Sequence, residues 1–477
     1  MDFSAHPASR MLSYFEALSR VPRPSGHEEK AADFITSELE KHGVAYTRDG
    51  ADNVFAVLPA TPGREEEDAV LLQGHMDMVC EADDGVEWKV LEEGVSLRLD
   101  GDWLKGTGTT LGGDDGFAVA VMLAAASGAI PSHPRLELLF TTDEEVGLGG
   151  AQAFDCAQVT AKYLVNLDSE DEGEILVSCA GGAHIDLTER FSRMDFDGAA
   201  LKLTLSGLAG GHSGADIHLG RKNAVTELAS VLVKTADATR LNLASFTGGS
   251  KDNAIPRSAS AVIAVTDVAA AGKAAADAVE ALRAALTPAD AEMTFLIERV
   301  PAPEKMFSRK DSRLLCDFLS LLPYGVLEKN EEIDTVETSC NVGIVTTGEE
   351  GVEIALLARS AAKKKLDNLL YVIEMLCISY GAEMEVRSRY PAWDYLPGSR
   401  LCAAYAAAYE ELHGKKLKVC GIHAGLECGI FKEKLPDLDI ISLGADIPDV
   451  HTPRERMSLS SCDRIWQALT LLFSRKI

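Results

Sequence analysis

The chain is 477 residues long, 46% hydrophobic and 25% charged, and its 46 basic against 74 acidic residues leave a formal charge of −28. That length supports roughly two or three domains with cores of their own. The surplus of negative charge repels phosphate backbones and anionic lipid, which excludes nucleic acid and membrane as partners.

In chain order, the first twenty residues lack the uninterrupted apolar core of a signal peptide. The longest largely apolar run, FAVAVMLAAASGAI, is too short to cross a bilayer. Ten cysteines stand singly with no C-x-x-C pair, the usage of a reduced, cytoplasmic protein. Residues 25–43 read as a helix, with Ser25 as N-cap, Gly43 as stop, and Ala31, Phe34, Ile35 and Leu39 as its apolar stripe. VAYTRDGADNVFAVLPA alternates around a turn, as a hairpin does. AVLLQGHMD, RLELLFTTDEE and KYLVNLDSE follow as short apolar runs that end in polar residues, with a helical DGFAVAVMLAAASGA between the first two. Strands alternating with helices predict an α/β domain with a mostly parallel sheet.

Near residue 187 the texture changes. LKLTLSGLAGGHSGADIHLG, two helix-like stretches and a second strand–helix set run to residue 394, suggesting an α+β insertion with a duplicated βαββ unit. From residue 395 the α/β texture returns and ends in a helix through CDRIWQALTLLFSRK. The expected architecture is two domains, a discontinuous catalytic domain (1–186 and 395–477) and an inserted lid (187–394).

Several strand ends carry candidate ligands. His75 and Asp77 finish one strand, Asp114 sits in the turn TTLGGDDG, Glu144 and Glu145 finish a second strand, and Asp168 finishes a third. His451 follows DIISLGADIPDV. A lone strand-end histidine or acid is usually a capping or solvated residue. Recurrence at the same end of successive strands is different, because those ends converge on one crevice in an open α/β sheet. Two histidines and three carboxylates suit two divalent ions about 3.5–4 Å apart, one carboxylate bridging them. The glycines before Asp114 are no nucleotide loop, since no Lys-Ser/Thr follows them.

GHMDMV, the Gly-rich turn with its Asp pair, the Glu pair, NLDSE and the late histidine together resemble the M20 clan of metallopeptidases. SCNVG, GIHAGLECGIF and SLGADIPDVHTPRER are similar to stretches of its aminoacyl-histidine (Xaa-His) dipeptidase branch. The resemblance implies that His75 and Asp168 hold one zinc, Glu145 and His451 the other, and that Asp114 bridges them; cobalt or manganese are alternatives. It also implies a cis peptide between Asp114 and Asp115. Asp77 would orient His75. Glu144 would be the general base and later protonate the leaving amine, because one carboxylate must stay unligated to take the proton. His212 in GGHSG would stabilise the oxyanion. Asn253 in DNAIP and Arg359 in ALLARS would hold the peptide carbonyl and the substrate carboxylate, for which a guanidinium fork is suited. His423, in HAGLE with Glu427, falls where the clan has a substrate loop.

The expected activity is hydrolysis of Xaa-His and related dipeptides by a cytoplasmic, homodimeric di-zinc enzyme, through a metal-bridging water. Another M20-type amidohydrolase (an N-acyl amino-acid deacylase, tripeptidase or carboxypeptidase) is the alternative within enzymes. A non-catalytic binding relative is the alternative outside them, though it would need loss of a ligand or of the base. The insertion is roughly twice as long as one βαββ unit needs, so His212 is expected to act within its own chain.

Overall fold

The computed structural model describes residues 1–196 and 199–477. The chain opens with α1 (Ser9–Leu18), α2 (Glu29–Lys41) and the strands β1 (Ala45–Arg48), β2 (Val54–Leu58) and β3 (Val70–His75). Then come α3 (Gly113–Ala126), β4 (Leu136–Thr141), β5 (Tyr163–Asn166) and β6 (Glu174–Cys179). The next segment holds β7 (Gly181–Arg190), β8 (Ala199–Ser206), α4 (Ala224–Ala238), β9 (Leu241–Gly248), β10 (Ala259–Val265), α5 (Val268–Arg283) and β11 (Thr294–Val300). It continues through α6 (Arg309–Leu321), β12 (Thr335–Thr347), β13 (Gly351–Ser360), α7 (Lys363–Tyr380) and β14 (Glu383–Tyr390). Last are α8 (Arg400–His413), β15 (Lys418–Ile422), α9 (Glu427–Lys434), β16 (Asp439–Ser442) and α10 (Leu459–Phe473). No helix among the described residues is long and apolar enough to cross a membrane.

Two compact units result. One comprises residues 1–179, 395–421 and 426–477; the other comprises 180–394 and 422–425. The boundary expected at 187 falls at 180, because β7 is one continuous strand of the second sheet and begins at Gly181. Residues 422–425, expected in the catalytic domain, belong to the second unit, so His423 does too.

The first unit is built on an eight-stranded sheet of order β1-β2-β4-β3-β5-β16-β6-β15. Its centre, β4-β3-β5-β16, is parallel, and the β1–β2, β2–β4 and β16–β6 pairings are antiparallel. Every residue of β3, β4 and β5 is buried, as expected of parallel strands covered on both faces. The helix expected over 25–43 starts only at Glu29, and Ser25 does not cap it: its hydroxyl donates to Asp77 Oδ2 at 2.8 Å.

The second unit is a nine-stranded antiparallel sheet whose main path runs β11-β8-β10-β9-β12-β13-β7-β14. The inner segment β8-α4-β9-β10-α5-β11 has spatial strand order 4-1-3-2. The outer segment β7-α6-β12-β13-α7-β14 has the same order, and the inner one is inserted after its first strand. The duplication is therefore of two βαββαβ units, one nested in the other, joined where β9 pairs with β12. Alternation specifies the strands: Leu201, Leu203 and Leu205 of β8 point inward while Lys202, Thr204 and Ser206 stay partly exposed. Asn223, Asp267 and Ser308 cap α4, α5 and α6 by accepting backbone N–H bonds.

Candidate active site

The C-terminal ends of β3, β4 and β5 deliver the first-unit residues. His75 is buried, and its Nε2 lies 2.9 Å from Asp114 Oδ1 and 3.5 Å from Asp168 Oδ1. Across the site, His451 Nε2 lies 3.0 Å from Asp114 Oδ2 and 3.0 Å from Glu145 Oε1. The two oxygens of Asp114 thus face one histidine each. The Asp114–Asp115 peptide is cis, as the family resemblance implies.

Asp77 is fully buried and serves three segments. Its carboxylate lies 3.3 Å from His75 Nδ1, accepts from Ser25, and accepts the backbone N–H groups of Glu144 (3.2 Å) and Glu145 (3.3 Å). It orients the imidazole and the Glu pair together. Asp115 brings a carboxylate near His75 and Asp168 as well. That carboxylate is already committed, accepting from the backbone N–H groups of His75 (3.3 Å) and Ala118 (3.1 Å), so it caps α3 rather than offering a free donor.

The electrostatics match a cation site. Burial works against protonation of His75, yet Asp114, Asp168 and Asp77 raise its pKa well above the usual histidine range. Contacts to Asp114 and Glu145 push His451 up to about 11. Burial raises Asp168 to about 6 and, opposed in part by His75, carries Glu144 well above the carboxylate range, with Asp168, Glu427 and Glu145 adding to the effect. So many converging carboxylates favour positive charge among them. Donor atoms of His75, Asp114 and Glu145 lie within 4.8 Å of one another, so the residues present fit divalent ions with nitrogen and oxygen ligands.

Glu427 belongs beneath this site. It is fully buried and accepts from Gln73 at 2.5 Å and Thr141 at 2.7 Å, and Gln73 accepts from Asn166 at 2.8 Å. Burial pushes Glu427 up to about 7. This chain of polar side chains crosses β4, β3 and β5 beside the candidate ligands.

The second unit gathers the other candidates. Gly211–His212 pairs with Ala254–Ile255, and Ser213 N donates to Asn253 O at 2.9 Å, which couples GGHSG to DNAIP. Asn341 holds both sides of Asn253, donating to Asp252 O and Ala254 O at 2.8 Å each. His212 Nδ1 accepts from the N–H groups of Gly214 (3.2 Å) and Ala215 (3.0 Å), which leaves the ring proton on Nε2. Burial and the Arg359 charge lower its pKa, so the ring is neutral. His423 Nε2 pairs with Ser339 Oγ at 2.7 Å; burial and Arg359 push this histidine down to about 3.

Arg359 is buried, and no ion pair to a carboxylate is found for it among the described residues. Its Nη1 donates to Tyr390 OH at 2.7 Å and its Nε has no hydrogen-bond partner among the described residues. Gly182 permits this. It sits on β7 in register with both Arg359 and Tyr390, and a Cβ there would fall 2.3 Å from the tyrosine hydroxyl. Tyr390, Ser339, Asn341 and Gln73 escape sequence reasoning because nothing local marks them; SCNVG and the strand before GHMD are the only hints.

The chain matches Peptidase family M20/M25/M40 over residues 71–475 and belongs to that family; it is a peptidase. It is 35% identical to the cytosol non-specific dipeptidase of Escherichia coli (strain K12) over 96% of each chain. Among solved structures it resembles the aminoacylhistidine dipeptidase of Vibrio alginolyticus, at 33% identity with a TM-score of 0.94 over 99% of this chain and 98% of that one. The aminopeptidase PepT of Bacillus cereus, at 18% identity and a TM-score of 0.58 over 98% of each chain, shares the fold.

Proposed function

We propose that this chain is a two-metal dipeptidase of the cytoplasm that hydrolyses Xaa-His and related dipeptides. The observation that carries the two-metal reading is the division of Asp114, one oxygen toward His75 and one toward His451. His75 and Asp168 would hold one ion and Glu145 and His451 the other. Two divalent ions, zinc first with cobalt or manganese as alternatives, would supply Lewis acidity to the peptide carbonyl and acidity to a water. Family membership and the two dipeptidase relatives support the substrate class.

The chain's own residues divide the remaining work. Glu144, held by its backbone to Asp77 but with its carboxylate unligated, takes the proton of the attacking water and passes it to the leaving amine. His212 donates from Nε2–H to the developing oxyanion. Arg359, a buried cation without a counter-ion among the described residues, takes the substrate's carboxylate as its partner. Tyr390 fixes its orientation, Asn253 holds the peptide carbonyl, and His423, neutral and tied to Ser339, lines the side-chain pocket.

The test is hydrolysis of Xaa-His dipeptides, other dipeptides and N-acetyl amino acids by protein stripped with chelator and reloaded with zinc, cobalt or manganese. Metal-dependent cleavage of free-amine dipeptides, with Xaa-His among the good substrates, is expected. Faster turnover of N-acetyl amino acids would favour the deacylase alternative and overturn the dipeptidase reading.

A further inference from the structure

The turn that carries Asp114 is gripped from both sides by buried side chains of opposite charge, neither of them a ligand. Glu455 is 2% exposed, and its Oε2 accepts the backbone N–H groups of Leu111 (2.8 Å) and Gly112 (3.1 Å). Its Oε1 accepts those of Gly113 (2.7 Å) and Asp114 (3.4 Å). One carboxylate thus collects four consecutive donors at the start of α3, where backbone N–H groups point outward and favour negative charge. Helix starts are usually capped by a residue of their own; here the acceptor comes from more than 340 residues downstream.

Arg23 works from the opposite side. Also 2% exposed, it donates through Nη1 to the carbonyls of Met76 and Asp77 at 2.9 Å each, and through Nη2 to the carbonyl of Gly112. The glycines of TTLGGDDG follow from these contacts. Gly112 has φ 71°, and a Cβ there would fall 2.4 Å from Arg23 Nη2; a Cβ on Gly113 would fall 3.2 Å from Glu455 Oε1. Arg23 therefore ties the segment just past His75 to the turn, and Glu455 ties the turn to the segment that carries His451, four residues earlier.

We propose that Glu455 and Arg23 are positioning residues that set the angle of Asp114, so that its two oxygens face His75 and His451 at once and two ions are held as a bridged pair. The proposal rests on the two-metal reading above. Without Glu455 the four N–H groups lose a shared acceptor, the turn relaxes, and Asp114 serves one side only. The two metal positions then lose their coupling while the hydrophobic core of the unit is untouched.

The experiment loads chelator-stripped full-length protein with Mn²⁺ and follows binding by calorimetry and electron paramagnetic resonance. Wild type should bind two ions and give an exchange-coupled pair signal. Glu455→Gln, nearly isosteric but turning an amide donor toward backbone donors, should bind the second ion at least 10-fold more weakly and give signals of isolated Mn²⁺. Arg23→Lys, which keeps the charge and loses the fork, is read in the same way in case the first variant folds poorly. Metal-free variants should match wild type in circular dichroism and melt within a few degrees of it. A folded Glu455→Gln protein with an unchanged coupled signal overturns the proposal. So does metal loss accompanied by unfolding of the metal-free protein, which marks a structural role. If wild type itself binds no pair of ions, the two-metal reading fails, and this inference with it.

Discussion

At the scale of single residues, the two adjacent carboxyls of the candidate site differ in what they touch. Glu144 and Glu145 are adjacent in sequence, yet Glu145 Oε1 approaches His451 while Glu144 is held by its backbone, its N–H donating to Asp77 and its carbonyl accepting from Gly147 and Leu148. Glu144→Gln should therefore retain two metals by elemental analysis and lower turnover by about 10²–10⁴-fold. Near-normal turnover in the metal-replete variant would remove Glu144 from the mechanism. Arg359 invites a different experiment. A buried guanidinium without a counter-ion costs stability in the free protein and is repaid only when an anion binds. Arg359→Met should raise KM for dipeptides by about 10–100-fold, the worth of a charged hydrogen bond of roughly 1.5–3 kcal/mol, without lowering the melting temperature. A drop in melting temperature with KM unchanged would mean the cation has a structural role instead.

At the scale of elements, β7 holds a carboxyl that no part of the proposed chemistry uses. Glu189 is buried, neither side-chain oxygen has a hydrogen-bond partner among the described residues, and burial, with Asp311 adding, pushes it up to about 8. The folded pKa is thus raised above the ordinary value of 4.5. Between these values the folded state keeps a proton that the unfolded state has released. Stability from this group is intact below about pH 4.5, falls by at most about 1.4 kcal/mol per pH unit as pH rises, and is fully lost by about pH 8. Glu189→Gln should remove that slope. Urea denaturation of both proteins at pH 5, 7 and 9 tests it: the variant should gain on wild type as pH rises, and parallel profiles would contradict the assignment. Neighbouring elements explain other polar contacts of the second unit, since Arg359, Gly182 and Tyr390 meet only because β13, β7 and β14 are adjacent and in register.

At the scale of the whole molecule, the nested βαββαβ units give one chain two copies of the same strand order around the β9–β12 junction. A single chain thus carries both copies of the unit itself. His212, on the inner copy, is accordingly expected to serve the catalytic residues of its own chain, whether or not the protein is a homodimer. Mixing His212→Ala with Glu144→Gln chains tests this, because each is expected to be inactive alone. Mixtures that form hybrid dimers and stay inactive fit the expectation; recovery of substantial activity in hybrids would mean the histidine is shared between subunits.

The sequence by itself determined the candidate ligand residues and the kind of elements that carry them. His75, Glu145 and Asp168 each end a run whose apolar pattern marks a buried strand, and the glycines around Asp114 mark a turn, so local pattern was enough. Motif resemblance added His212, Arg359 and the cis peptide. Only the tertiary structure decided which polar residues support them. Arg23, Glu455, Tyr390 and Ser339 look like ordinary loop or strand residues, because their partners lie tens to hundreds of positions away and hydrogen bonding is a matter of distance in space. The same holds for the fold of the second unit. Alternation with period two identifies a strand and its buried face, but not the strand beside it. The nesting of one βαββαβ unit inside another, and the assignment of residues 422–425 to that unit, were therefore settled by packing rather than by anything written locally in the chain.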